Sequence, residues 1–174
     1  YLFGFEESYG YLIGTHARDK DALVTSMVIA EMAAYYNSKG SSIYNELQNL
    51  YKEFGYYLEG IKSVTLKGKD GIEKMAALMA DLRENVKDTL IGKKIKLKRD
   101  FNSHKEYDML TGEVKEIKLP KENVLQFVLE DDTYITARPS GTEPKIKFYF
   151  SVNADSHENV KEKLDKSMSE FEAI

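Results

Sequence analysis

The stretch Arg138-Pro139-Ser140-Gly141-Thr142-Glu143-Pro144-Lys145 gathers the requirements of an oxyanion site into a few residues. The Arg138 guanidinium is a planar fork of donors suited to bidentate phosphate contact. Ser140 and Thr142 add hydroxyl donors, and Gly141 lets backbone N–H groups turn inward. Two of the chain's three prolines, Pro139 and Pro144, bracket the stretch. Each fixes its own φ and presses the preceding residue toward extended geometry, so a ligand that orders the loop costs it less entropy. Pro, Ser and Gly also build ordinary hairpin turns. The length of this turn, and the cations Arg138 before it and Lys145 and Lys147 after it, tilt the reading toward anion binding. The stretch does not fit G-x-x-x-x-G-K-[ST], so a nucleotide P-loop is not supported.

A second group lies at the other end of the chain, where the apolar run Tyr1-Leu2-Phe3-Gly4-Phe5 stops at Glu6-Glu7-Ser8-Tyr9-Gly10. Glu6 can accept hydrogen bonds from two adjacent hydroxyls, and Ser8 can both donate and accept, which is what a sugar requires. A solvated acidic turn is the plain alternative. Next, His16-Ala17-Arg18-Asp19-Lys20-Asp21 packs three potential cations into a polar turn, with Asp19 or Asp21 placed to cap a helix.

The elements that must position these groups read as follows. Apolar residues at helical spacing predict a helix from Ala22 to about Lys39, with Leu23, Met27, Ala30 and Ala34 on one stripe. A second helix is predicted from about Ser42 to Phe54, ending at Gly55. Tyr56 to Lys67 has strand chemistry. A helix capped by Asp70 follows, with the stripe Ile72, Met75, Ala76, Met79, Leu82 and Val86. Lys94, Lys96 and Lys98 alternate with Ile95 and Leu97, a half-buried strand with a basic outer face. Further strands are expected at Glu113 to Leu119, Val124 to Glu130 and Thr133 to Ala137, and Ile146 to Phe150 continues beyond the Arg138 loop. A last helix, capped by Asp155 or Ser156, carries Val160, Leu164, Met168 and Phe171. The fold class is α+β. Periodicity changes from helical to strand-like near Gly55, so two mechanical units, 1–54 and 55–174, are expected to meet there.

The loop Arg138-x-Ser-Gly-Thr-Glu-Pro, followed by a basic aromatic strand, resembles the phosphate-binding loop of the α-D-phosphohexomutases, the family of phosphoglucomutases and phosphomannomutases. Phe5-Glu6-Glu7-Ser8-Tyr9-Gly10 resembles that family's sugar-recognition loop, with Phe5 where Gly is usual and Gly10 where mannose-tolerant members often have His. The resemblance implies that residues 1–54 are the end of an α/β third domain, a strand plus two helices. Residues 55–174 would be the C-terminal fourth domain, an antiparallel sheet packed by two helices. It assigns Glu6 and Ser8 to the sugar, and Arg138, Ser140, Gly141, Thr142 and Lys147 to a phosphate, with Lys20 near it and His16 and Arg18 less firmly. It implies a hexose phosphate substrate that is interconverted between its 1- and 6-phosphates through a bisphosphate. The phosphoserine and the Mg²⁺ site would lie in remaining domains of a longer chain. Ser103-His104 mimics the family's serine loop but lacks its flanking Thr, Asn and Pro, and is read as a coincidental turn, so this chain alone is expected to be inactive.

Composition agrees with that reading. The 174 residues hold no cysteine, which removes disulfide and thiol chemistry and fits a reducing, cytoplasmic setting. The formal charge of −4 argues against a protein built mainly to bind nucleic acid, although a phosphate- or nucleic-acid-binding module using the basic strand is the competing class. No apolar run spans a bilayer. The opening Tyr1, with no initiator Met and no signal-peptide layout, is expected of a piece of a longer protein.

Overall fold

A computed structural model of the chain describes residues 1–6, 9–66, 70–86, 88–141 and 143–172. It separates into two compact units, Tyr1–Phe54 and Gly55–Ile174. In the first, β1 (Phe3–Glu6) and β2 (Gly10–Ile13) pair antiparallel, with Glu6 opposite Gly10, so the single strand expected here is a hairpin. Phe3, Phe5 and Tyr11 stack on one face of it, with centroids 5.6 to 6.4 Å apart. Helix α1 (Ala22–Ser38) begins at Asp21, whose Oδ1 accepts from the Leu23 and Val24 N–H groups at 2.9 and 3.1 Å and so satisfies two orphan donors of the first turn. Helix α2 (Ile43–Phe54) follows. The α1 stripe expected to be core is not buried within this unit: Leu23 is 85% and Met27 59% exposed. The reason is compositional, since α1 is apolar nearly all round and one hairpin and one helix cannot cover such a surface.

The second unit has a full core. Its strands are β3 (Tyr56–Thr65), β4 (Thr89–Leu90), β5 (Lys93–Asp100), β6 (Lys105–Asp108), β7 (Val114–Glu116), β8 (Leu125–Leu129), β9 (Tyr134–Pro139) and β10 (Lys145–Ala154). They form an antiparallel sheet of order β3-β10-β9-β8-β5-β6-β7, with β4 paired to β5. Helices α3 (Gly71–Glu84) and α4 (His157–Glu172) cover one face. Met79 and Leu82 from α3 and Val160 and Leu164 from α4 share a cluster with Phe127, Ile135, Phe148 and Phe150 from the sheet. Ser156 caps α4, its Oγ accepting from Asn159 N–H at 3.2 Å. The α+β class is therefore as read, one sheet face buried by two helices.

Four local expectations change. On α3 the buried stripe runs through Gly71, Met79 and Leu82 with Met75 and Leu78 beside it, while Ile72 is exposed and Ala76 faces solvent. Asp70 occupies the cap position of α3 without a side-chain cap bond and pairs with Lys74 at 2.7 Å instead. The strand expected over Glu113 to Leu119 is only Val114–Glu116, and β6, a short polar segment, had no sequence signal. The fourth change concerns Lys98. A bulge between Ile95 and Leu97 shifts the β5 register against β8, so Lys98 turns to the helix face while Arg99 takes the outer one. Lys98 is buried, and its Nζ donates to the carbonyl oxygens of Arg83 and Val86, the latter at 3.1 Å. A cation there meets the negative end of α3 and satisfies carbonyls that the helix leaves unpaired.

Candidate phosphate and sugar sites

Strands β9 and β10 place Arg138 directly opposite Lys147 and Pro139 opposite Ile146. Arg138 thus stands on the end of a strand rather than in the turn, which narrows to Ser140 through Pro144. Because side chains alternate across a strand, Lys145, Lys147 and Tyr149 share the outer sheet face with Arg138, and Ile146, Phe148 and Phe150 go to the core. The cations therefore rest on a backbone fixed by buried neighbours: Ile146 and Phe148 are 0% and 3% exposed. The turn is closed by Ser140 N–H to Lys145 O at 2.8 Å, Lys145 N–H to Glu143 O at 2.8 Å, and Glu143 N–H to Ser140 Oγ at 3.2 Å. Gly141 is exposed, and a Cβ there would meet nothing within 4 Å, so it leaves its peptide open to a ligand.

These residues line an open cleft of about 330 Å³ in which Arg138, Lys145 and Lys147 face one carboxylate, Glu143. None of the three cations forms an ion pair with a described residue. The surplus of positive charge, a guanidinium fork and a hydroxyl suit a small oxyanion. Tyr149 also lines the cleft and was not singled out from the sequence; its signal was the i, i+2, i+4 spacing from Lys145. Thr142 lies outside the described residues.

In the first unit the hairpin brings two of the expected site residues together. Lys20 Nζ lies 3.4 Å from Glu6 Oε1 and 3.3 Å from Asp19 Oδ1. Its ammonium is held above the usual lysine range first by Asp19 and then by Glu6. The contact depends on Gly10, where a Cβ would overlap the Lys20 stem and stand 2.7 Å from Glu6 Oε1. His16 Nε2 and Asp21 Oδ2 are 2.7 Å apart, and this bond, with the Val24 and Leu23 amides, lowers the Asp21 carboxyl. His16 thus serves the helix cap. Arg18 lines a shallow depression with Tyr1, Leu12 and Thr15. Ser8 lies outside the described residues. Ser103 sits in the β5–β6 turn, its Oγ bonded at 3.4 Å to Asp100 O. Among the described residues no three acidic or histidine side chains converge to hold a metal ion.

The second unit thus carries a cationic cleft on the outer face of a two-layer α+β fold, and the first carries a carboxylate–lysine hairpin. Residues 1–51 match the family described as phosphoglucomutase/phosphomannomutase, alpha/beta/alpha domain III. Over 164 residues, 94% of the chain, it is 34% identical to the phosphoglucomutase of Staphylococcus haemolyticus. It is 35% identical to that of Staphylococcus aureus over the same length, and 32% identical to that of Staphylococcus saprophyticus over 99% of the chain. The chain spans about 30% of the length of these curated relatives. In fold it resembles the exocytosis-sensitive phosphoprotein pp63/parafusin, a phosphoglucomutase from Paramecium solved in an open form, with a TM-score of 0.59, 16% identity, and coverage of 95% of this chain and 29% of that one. The resemblance to the phosphohexomutases read from the two loops is thus borne out, by the family model over residues 1–51 and by phosphoglucomutase relatives along nearly the whole chain.

Proposed function

We propose that this chain is the substrate-positioning part of a phosphoglucomutase-type enzyme that interconverts hexose 1-phosphate and hexose 6-phosphate through a bisphosphate. Residues 1–54 act as the end of the third domain and 55–174 as the fourth. The observation that carries the reading is the cleft where Arg138 and Lys147 face each other across β9 and β10 beside the Ser140–Gly141 turn. Arg138 grips the non-reacting phosphate bidentately, and Ser140, Gly141, Thr142 and Lys147 complete its shell. Glu6 and Ser8 accept and donate to sugar hydroxyls, and Lys20 holds Glu6 aimed until a sugar replaces that contact.

The phosphoryl chemistry lies with groups outside this chain. Among the described residues no cluster of acidic or histidine side chains fits a Mg²⁺ site. The family implies that metal, and the reading places it in the remaining domains. The chain alone therefore binds a hexose phosphate and converts none of it.

The competing nucleic-acid reading loses its main support. Of the basic strand's cations, Lys98 is buried, Lys93 pairs with Asp131 at 2.8 Å and Lys96 with Asp132 at 2.5 Å. Titration of the chain with glucose 1-phosphate and with a mixed-sequence oligonucleotide separates the two. Saturable phosphosugar binding without oligonucleotide binding supports the proposal, whereas oligonucleotide binding that falls steeply with salt, with no response to the phosphosugar, contradicts it.

A further inference from the structure

Behind the turn of the cleft lies a further contact. The first residue after β3, Leu66, donates its N–H to Pro144 O at 2.8 Å. Helix α3 begins at Gly71 on the same spot. A methyl group there would overlap the Leu66 carbonyl oxygen and stand 2.9 Å from Pro144 Cβ. Strand end, helix start and turn thus meet where only a hydrogen atom fits. Gly71 is itself buried, and its φ is not in the left-handed region, so close approach and not backbone conformation is what requires glycine here.

We propose that Gly71 is a positioning residue for the phosphate cleft, acting through Pro144. The inference rests on the phosphate-binding reading above. Three bodies share the junction, and two are anchored. Strand β3 is paired to β10 over its whole length, from Tyr56 opposite Ala154 to Thr65 opposite Lys145. Helix α3 is fixed in the core by Met79 and Leu82, 1% and 7% exposed. The turn is the soft partner, since Gly141 and Glu143 are exposed. A side chain at position 71 is accommodated by moving Pro144, and with it Lys145 and the Ser140–Lys145 closure that sets the spacing of Arg138 to Lys147. Close packing transmits the displacement because the junction has no void to absorb it.

The test compares Gly71→Ala with Gly60→Ala in the 174-residue chain. Gly60 faces α4, where a Cβ would lie 2.7 Å from Met168 Sδ and 3.1 Å from Leu164 Cδ1, an intrusion into the same core that does not touch the turn. Calorimetric titration with glucose 1-phosphate, below the melting temperature of each variant, should give a Kd about tenfold weaker for Gly71→Ala and an unchanged Kd for Gly60→Ala. Equal affinities for the parent chain and folded Gly71→Ala overturn the inference while leaving the phosphate reading intact. Absence of binding by the parent chain overturns both. Should Gly71→Ala not fold, hydrogen exchange of the Leu66 amide in the parent chain decides: saturation with glucose 1-phosphate should slow it, because a gripped turn holds Pro144 O in place, and an unchanged rate overturns the inference.

Discussion

The two units of this chain handle apolar surface in opposite ways. In Gly55–Ile174 the outer face of one sheet is given to charge and its inner face to a continuous core, so every cation of the cleft alternates with a buried neighbour one residue away. In Tyr1–Phe54 the described buried residues are Gly10 and Thr25, and Phe5, Leu23 and Met27 are exposed. The second unit's site is therefore backed by packing. The first unit's Glu6–Lys20 pair is held by a hairpin and a glycine that makes room. The difference shows that side chains of similar chemistry can be pre-organised by burial in one place and by local hydrogen bonds and ion pairs in the other.

Truncation in the core should break the second unit and barely touch the first. Phe150→Ala, at 1% exposure and in edge contact with Phe171, should cost about 3–5 kcal/mol in denaturant unfolding. A loss under about 1 kcal/mol would mean the core is not the support assumed here. The same experiment on Leu23→Ala, where the side chain is largely exposed, should shift stability by less than about 0.5 kcal/mol.

Between these lies Asp131, which ties α4 to the β8–β9 turn. Partial burial pushes its carboxyl up, but the hydrogen bonds from Lys93 and Thr133 and the charges of Lys93 and Lys163 outweigh that and bring it down from 3.8 to about 2. A carboxyl lowered by folding stabilises above its unfolded value. The contribution is therefore full above about pH 5 and fades as pH falls from about 4 through 2. Allowing for solvent screening, Asp131→Asn should cost about 1–2 kcal/mol at pH 7. Acid titration of stability followed by circular dichroism should show the parent and the variant converging near pH 2. Parallel curves would assign the loss to something other than charge.

Lys98→Met should have a similar or smaller effect, about 1 kcal/mol, by removing the donor that caps α3 while keeping the stem. Since Lys98 faces inward, the variant should leave phosphosugar affinity unchanged. Altered binding would return Lys98 to the outer face on which the alternation rule had placed it.

That last case marks where the sequence stops being legible. Alternation assigned Lys94, Lys96 and Lys98 to one side because a strand has period two. The bulge that resets the period depends on how β5 pairs with β8, a long-range choice with no local signature. Likewise β6, Lys-Glu-Tyr-Asp, is a strand only because its neighbours offer free edges. Both helices of the first unit, the Asp21 and Ser156 caps, and the strand–turn–strand around Ser140 to Pro144 were readable, because caps, prolines and short-range periodicity encode them locally. The α1 stripe failed as a burial prediction because an all-round apolar helix says how much surface needs covering and not what covers it. Glu6 and Lys20 were each named from the family loops, but their meeting at 3.4 Å needed the register that puts Gly10 between them.

The central claim is that the outer-face cleft of the second unit takes a phosphate group through Arg138. Isothermal titration of glucose 1-phosphate into the parent chain, Arg138→Ala and Ser103→Ala tests it most directly. Weak saturable binding by the parent is expected, with the same affinity for Ser103→Ala and a loss of about 1.5–3 kcal/mol for Arg138→Ala, the value of a charged hydrogen-bond pair. Undiminished binding by Arg138→Ala, or loss of binding on changing Ser103, would contradict it.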